Sequence, residues 1–312
     1  MASNETEILD PAVSGEKLKK IAAGRALNRR HFLAALSMTS AAAGAGLMSG
    51  CSTSNSVAST STSLAETDYL NFILNLKYVE ATFYSFITQG KDLASNLIVN
   101  SGAITGAPSA ALTFTATNAQ QITDMLNEIY YDEINHLSVL ISLTGASGIH
   151  RPAINLAAFG AITASNALAI ARLLEDVGVT AMTGAAPNLS TSILTLTSQI
   201  LGVESFHGGA VRLVDIQNPS IATYISAGPL DVPPYDPGSG STAAAGPTAS
   251  GGFFATAGAS TTTSTTPAGF PYARTTSQVL AILYGAPGAP AAPGTSSGGF
   301  LPSGANGNIH TV

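Results

Sequence analysis

The feature that most constrains this chain is a spacing that occurs twice. In YDEINHLSVL, residues 131–140, Glu133 and His136 interrupt what is otherwise a buried helical face: Ile122, Leu126, Ile129, Glu133, His136, Leu140 and Leu143 share one stripe. Residues 193–214 repeat the arrangement, with Ile193, Leu196, Ile200, Glu204, His207, Val211 and Val214 on one stripe. The chain has nine Glu and five His, so two Glu-x-x-His spacings at the same depth of two apolar stripes are a poor fit to chance. An unpaired carboxylate on such a face costs several kcal/mol, comparable to the net stability of a small domain, so each Glu requires a compensating partner.

Residues three apart on a helix project from one face, so a Glu and a His at that spacing can hold one metal ion, and two such helices can hold two. A bundle built that way needs a further carboxylate from each remaining helix. Glu175 qualifies, on the stripe Leu168, Ala171, Glu175, Val179 and Met182. Glu80 offers itself on a stripe with Leu70, Ile73, Lys77 and Tyr84. An internal repeat lays LKYVEATFY over LEDVGVTAM, pairing Leu76 with Leu174, Val79 with Val177 and Thr82 with Thr180. Lys77 then falls opposite Glu175, a cation where the repeat calls for a carboxylate.

The periodicity predicts four helices of similar length, over 66–89, 118–144, 165–183 and from the Ser190 cap position to about 214. HRPAINLAAFGAITA reads as a crossover connection between the second and third. The predicted class is all-α: a four-helix bundle over 66–215 with a crossover, followed by a largely irregular Gly/Pro/Thr-rich region, 216–312, carrying one short helix. That helix is TTSQVLAILYG, with a Thr/Ser start and a Gly stop. Phe253, Phe254, Phe270, Tyr272, Leu280 and Leu283 are too many apolar groups for a solvated tail, so the region is expected to pack on the bundle. A Gly/Ala/Thr-rich arm making contacts between subunits of a homo-oligomer is the alternative.

Composition narrows the partners. The net charge is −6 and the central part lacks basic clusters, leaving no footing for a phosphate backbone, so nucleic acid is not an expected partner. The single cysteine, Cys51, excludes an intrachain disulfide and a thiolate-rich metal site. Ahead of it, NRRHFLAALSMTSAAAGAGLMSGC resembles a twin-arginine export signal, carried by Arg29, Arg30, Phe32 and Leu33. The run ends in a sequence similar to a lipoprotein box, with Met48 and Leu47 before Cys51, so residues 1–51 are read as an export address with lipidation at Cys51 anchoring the chain to a membrane. Cleavage within Ala41–Gly46 without lipidation is the rival. The Ser/Thr-rich residues 52–65 then serve as a linker. The twin-arginine route carries folded proteins, often with a cofactor inside, and implies a periplasmic or cell-envelope location.

Together, LNFILNLKYVEATFY, the two Glu-x-x-His helices, EDVGVTAMTGAAP, and a tail with ARTTSQVLAILYG and GGFLPSGANGNI resemble the ferritin-like superfamily, and within it the exported proteins related to plant desiccation-associated proteins. The resemblance covers most of residues 66–310. It implies a bundle with a centre of two iron or manganese ions, with Glu80, Glu133, His136, Glu175, Glu204 and His207 as ligands, and Fe(II) oxidation or peroxide reduction as the chemistry. Family members typically carry an acidic residue where Lys77 stands, two turns before the helix-one Tyr84; Glu80, one turn along, is the replacement. Lys77 and Tyr84 are therefore the residues expected to modify the site. Tyr84 is expected to pack in the core with a hydrogen-bonded hydroxyl, and Asp132 and Asp176 to lie outward or behind the ligands. The alternative is a non-enzymatic envelope protein that keeps the bundle without a working metal site, the carboxylates being paired with Lys77.

Overall fold

A computed structural model describes residues 64–98, 100–218 and 273–312. The export address, Cys51, the Ser/Thr linker up to residue 63 and the aromatic residues 253, 254, 270 and 272 lie outside the described residues. Four long helices dominate: α1 (Glu66–Gln89), α2 (Ala119–Thr144), α3 (Ala167–Ala185) and α4 (Thr191–Gln217), with a short α5 (Thr276–Leu283). Two-residue strands β1 (Ile104–Thr105) and β2 (Ile154–Asn155) pair in parallel, tying the loop before α2 to the connection after it. The fold is all-α. No helix among the described residues is long and apolar enough to cross a membrane.

The crossover follows from which ends meet. Asn71, near the start of α1, donates to Ser147 O at 2.9 Å and accepts from Ile149 N–H at 3.1 Å, so α2 finishes beside the start of α1. The turn from α3 into α4 meets the same end, because the Ser190 N–H donates to the Glu66 carboxylate. Since α2 and α3 finish at one end they run parallel, and residues 145–166 must travel the length of the bundle. Arg151 clasps that connection to the α1–α2 loop, reaching Asp92 at 2.5 and 3.1 Å.

Helix α1 is buried on nearly every side from Leu70 to Ser85, as expected for a helix apolar all round. It packs on α2 and α3. The chain's last residues cover it further: Asn75 donates to Asn306 O at 2.8 Å and accepts from Asn306 N–H at 2.9 Å, while Asn308 donates to Asp68 at 2.8 Å. The helix closes on Gly90, whose φ of 64° admits the left-handed cap that a side chain would strain.

Helix α3 runs to Ala185, past the expected stop at Gly184. The glycine has another reason: the Arg274 backbone packs directly over it, held by its N–H to Thr180 O at 3.0 Å, leaving no room for a Cβ. Ser190 caps α4 by position, without a side-chain capping bond. Thr275 opens α5 with a full capping box, exchanging bonds with Gln278 at 2.9 and 3.2 Å, and α5 packs against α3.

Candidate metal centre

The four long helices carry their polar residues to one level of the core. Lys77 and Glu80 come from α1, Glu133 and His136 from α2, Glu175 from α3, and Glu204 and His207 from α4; every one is buried. All six residues singled out by spacing therefore converge, and Lys77 is in their midst. Its Nζ lies 2.6 Å from Glu80 Oε2, 2.5 Å from Glu204 Oε1 and 3.2 Å from both oxygens of Glu133.

The histidines face inward through Nδ1. That of His136 is 2.9 Å from Glu204 Oε1 and 3.1 Å from Glu133 Oε1, and that of His207 is 3.2 Å from Glu175 Oε2. Their rings sit 6.0 Å apart. Asp132 supports His207 from outside, its carboxylate 3.1 Å from Nε2, which fixes the ring and leaves Nδ1 for the interior. Asp132 thus stands behind the candidate ligands, as expected. Asp176 does not: it faces away, into a second buried cluster where it bonds Arg172 at 3.3 Å and Arg212 at 3.0 Å.

Burial and mutual charge set the protonation of the cluster. Burial pulls the Lys77 ammonium down, but the Glu133, Glu204 and Glu80 carboxylates outweigh it and hold Lys77 well above its ordinary pKa. Burial drives Glu80 well above the carboxylate range despite Lys77, and burial with the nearby Glu204 charge raises Glu133. Glu204 goes the other way: burial disfavours its charge, yet Lys77 and His136 hold it below the usual range. Against the cost of burial, Glu133 and Glu204 push His136 up to about 9, and Glu175 is the main group pushing His207 up to about 10. Four carboxyl groups thus face one lysine and two histidines held in the charged form.

A stability trend follows. Both histidines have folded-state pKa values above the unfolded value near 6.5. Their contribution is complete below about pH 6.5 and is lost as the pH rises through about 9 to 10. The metal-free protein is expected to lose thermal stability steadily from pH 6.5 to 10, as followed by circular dichroism in chelator; a midpoint flat across that range would contradict this charge assignment.

Two further residues shape the site. Tyr84 is fully buried, its phenol raised well above its ordinary pKa by burial and then by Glu175. Gly178, one turn after Glu175, was not singled out from the sequence. A Cβ there would lie 2.5 Å from Glu204 Oε2 and 2.8 Å from Glu80 Oε1, so the bare α-carbon makes room for both carboxylates. The repeat that sets Lys77 opposite Glu175 also sets Glu80 opposite Gly178, and that is the signal by which it was findable. Gly178→Ala is expected to leave the fold intact but, by displacing carboxylates pinned by Lys77, to weaken metal binding about tenfold or more in a Mn(II) titration.

Glu133, Glu175, Glu204 and His207 can each present a ligand atom such that all four lie within 4.8 Å of one another. Oxygen and imidazole donors in this number suit iron or manganese. Beside this quartet, the Lys77 ammonium fills the space among Glu80, Glu133 and Glu204.

A four-helix bundle with a crossover and a buried carboxylate-and-imidazole cluster defines a class of metal-binding scaffold. Residues 65–216 match the family model of the ferritin-like domain, and on this fold that segment is a ferritin-like domain. No curated protein matches the chain significantly.

Proposed function

We propose that this is an exported ferritin-like metalloprotein that takes up iron or manganese in its bundle core and acts in metal oxidation or in oxidative and desiccation stress. The observation that carries the reading is the buried quartet Glu133, Glu175, Glu204 and His207, with ligand atoms within 4.8 Å of one another. Bound iron or manganese would supply one-electron redox chemistry. The chain's residues do the rest. The three carboxylates and the His207 Nδ1 hold the ion, Asp132 orients the imidazole, Lys77 balances carboxylate charge, and the packed helices keep bulk water away.

Anaerobic Fe(II) loading of the purified full chain, followed by metal analysis, tests this: less than about 0.2 metal per chain would sink it. For the address, Arg29→Lys with Arg30→Lys is expected to retain the precursor in the cytoplasm, and Cys51→Ser to release the exported protein from the membrane. Export of the doubly substituted chain at the normal level would refute the twin-arginine reading.

A second reading has a specific observation behind it. Lys77 approaches three of the four glutamates of the cluster within 3.2 Å, so the core is partly compensated without metal. On that reading the bundle is a non-enzymatic envelope protein, and the same loading experiment would return no metal.

A further inference from the structure

The ferritin-like resemblance implies two ions; the positions of the side chains point elsewhere. We infer that the centre is mononuclear: one ion of the iron or manganese class is held by Glu133, Glu175, Glu204 and His207, and the Lys77 ammonium occupies the second cation's place. This rests on the metal-binding reading above and sharpens it to a stoichiometry and a position.

The two halves of the bundle are related by the internal repeat, but α1 presents Lys77 where α3 presents Glu175. The Lys77 Nζ stands 2.5 to 3.2 Å from four oxygens of Glu80, Glu133 and Glu204. Its three N–H groups have carboxylate acceptors on every side. A metal using the same oxygens at about 2.0–2.2 Å would occupy nearly the same point in space, beside a cation already there. Glu80, the candidate replacement for the missing helix-one ligand, spends its Oε2 on this pairing. Together with the lysine it restores one carboxylate and one cation to the α1 side.

The opposite side of the cluster is differently made. Among the described residues no lysine or arginine ion-pairs with Glu175; His207 does, at 3.2 Å, and Glu175 Oε1, like Glu204 Oε2 and Glu80 Oε1, is buried without a hydrogen bond. A buried carboxylate oxygen with no donor calls for a cation or a proton. Glu204 meets the ammonium through Oε1 and keeps Oε2 for the ion, while Glu133, with both oxygens 3.2 Å from Nζ, is shared between the ammonium and the ion.

Metal loading with Mn(II), read by elemental analysis and by electron paramagnetic resonance, decides the matter. The native full chain is expected to hold one ion per chain with the six-line signal of an isolated Mn(II). Lys77→Glu is expected to hold two, with the spectrum broadened by exchange between neighbouring ions. His207→Ala is expected to weaken native binding about tenfold or more, while His136→Gln still holds one ion. Two coupled ions in the native chain would overturn the inference and leave the metalloprotein reading standing. No ion in the native chain would overturn both. One ion in native and Lys77→Glu alike would show that Lys77 does not occupy a cation's place. Should Lys77→Glu fail to fold, native stoichiometry, native spectrum and the two histidine variants still decide the outcome.

Discussion

Lys77→Met is expected to lower the stability of the metal-free protein by about 3–5 kcal/mol, since removing one member of a buried ion cluster strands the charges that faced it. Methionine keeps the length and apolar stem of the lysine, so the loss reports the ammonium rather than a cavity. The ammonium contacts Glu80, Glu133 and Glu204, all fully buried, and none has a second lysine or arginine partner among the described residues. Chemical denaturation in the presence of chelator measures the effect, and added Fe(II) or Mn(II) should restore more stability to the variant than to the native chain. A loss below about 1 kcal/mol would mean that the glutamates relieve their repulsion by taking up protons instead.

Asp176→Ala is expected to cost a similar amount, about 3–5 kcal/mol, while leaving metal stoichiometry unchanged. Asp176 follows Glu175 directly but points to the other side of α3. There it bonds Arg172 and Arg212 by its side chain, and its backbone oxygen accepts from Arg274 at 3.2 Å. The Arg274 side chain also bonds Thr180 Oγ1, so the cluster fastens the segment leading into α5 onto α3. Asp215 lies in the same cluster, 4.0 Å from Arg172, and burial pushes it up to about 7 against the pull of the arginines. Asp176 therefore acts as the carboxylate shared by Arg172 and Arg212. Denaturation curves and metal analysis on the same preparation separate its role from that of Glu175; loss of the metal together with the stability would contradict this division of α3 into two faces.

The contrast between these neighbours shows what was legible in the sequence. Glu133, His136, Glu204 and His207 announced themselves because charged residues broke apolar stripes of helical period, and burial made their company obligatory. Glu175 was readable from its own stripe, and Lys77 through the repeat that sets it opposite Glu175. Asp176 was not, because α3 is buried on all faces and its periodicity cannot say which side looks toward the other helices and which toward the C-terminal segment. Gly184 was misread for a related reason: a glycine that ends a helix and a glycine that admits another backbone look alike until the chain 90 residues later is placed against it. Asn71 and Asn75 gave no local clue either, since their partners come from Ser147, Ile149 and Asn306.

The bonds between Asn75 and Asn306 also constrain when the protein can be finished. The first helix of the bundle is closed over by a segment 231 residues further along the chain, so part of α1 stays exposed until that segment has docked. Contacts of such sequence separation carry the largest loop-closure cost, so this closure is expected to follow the packing of the four long helices.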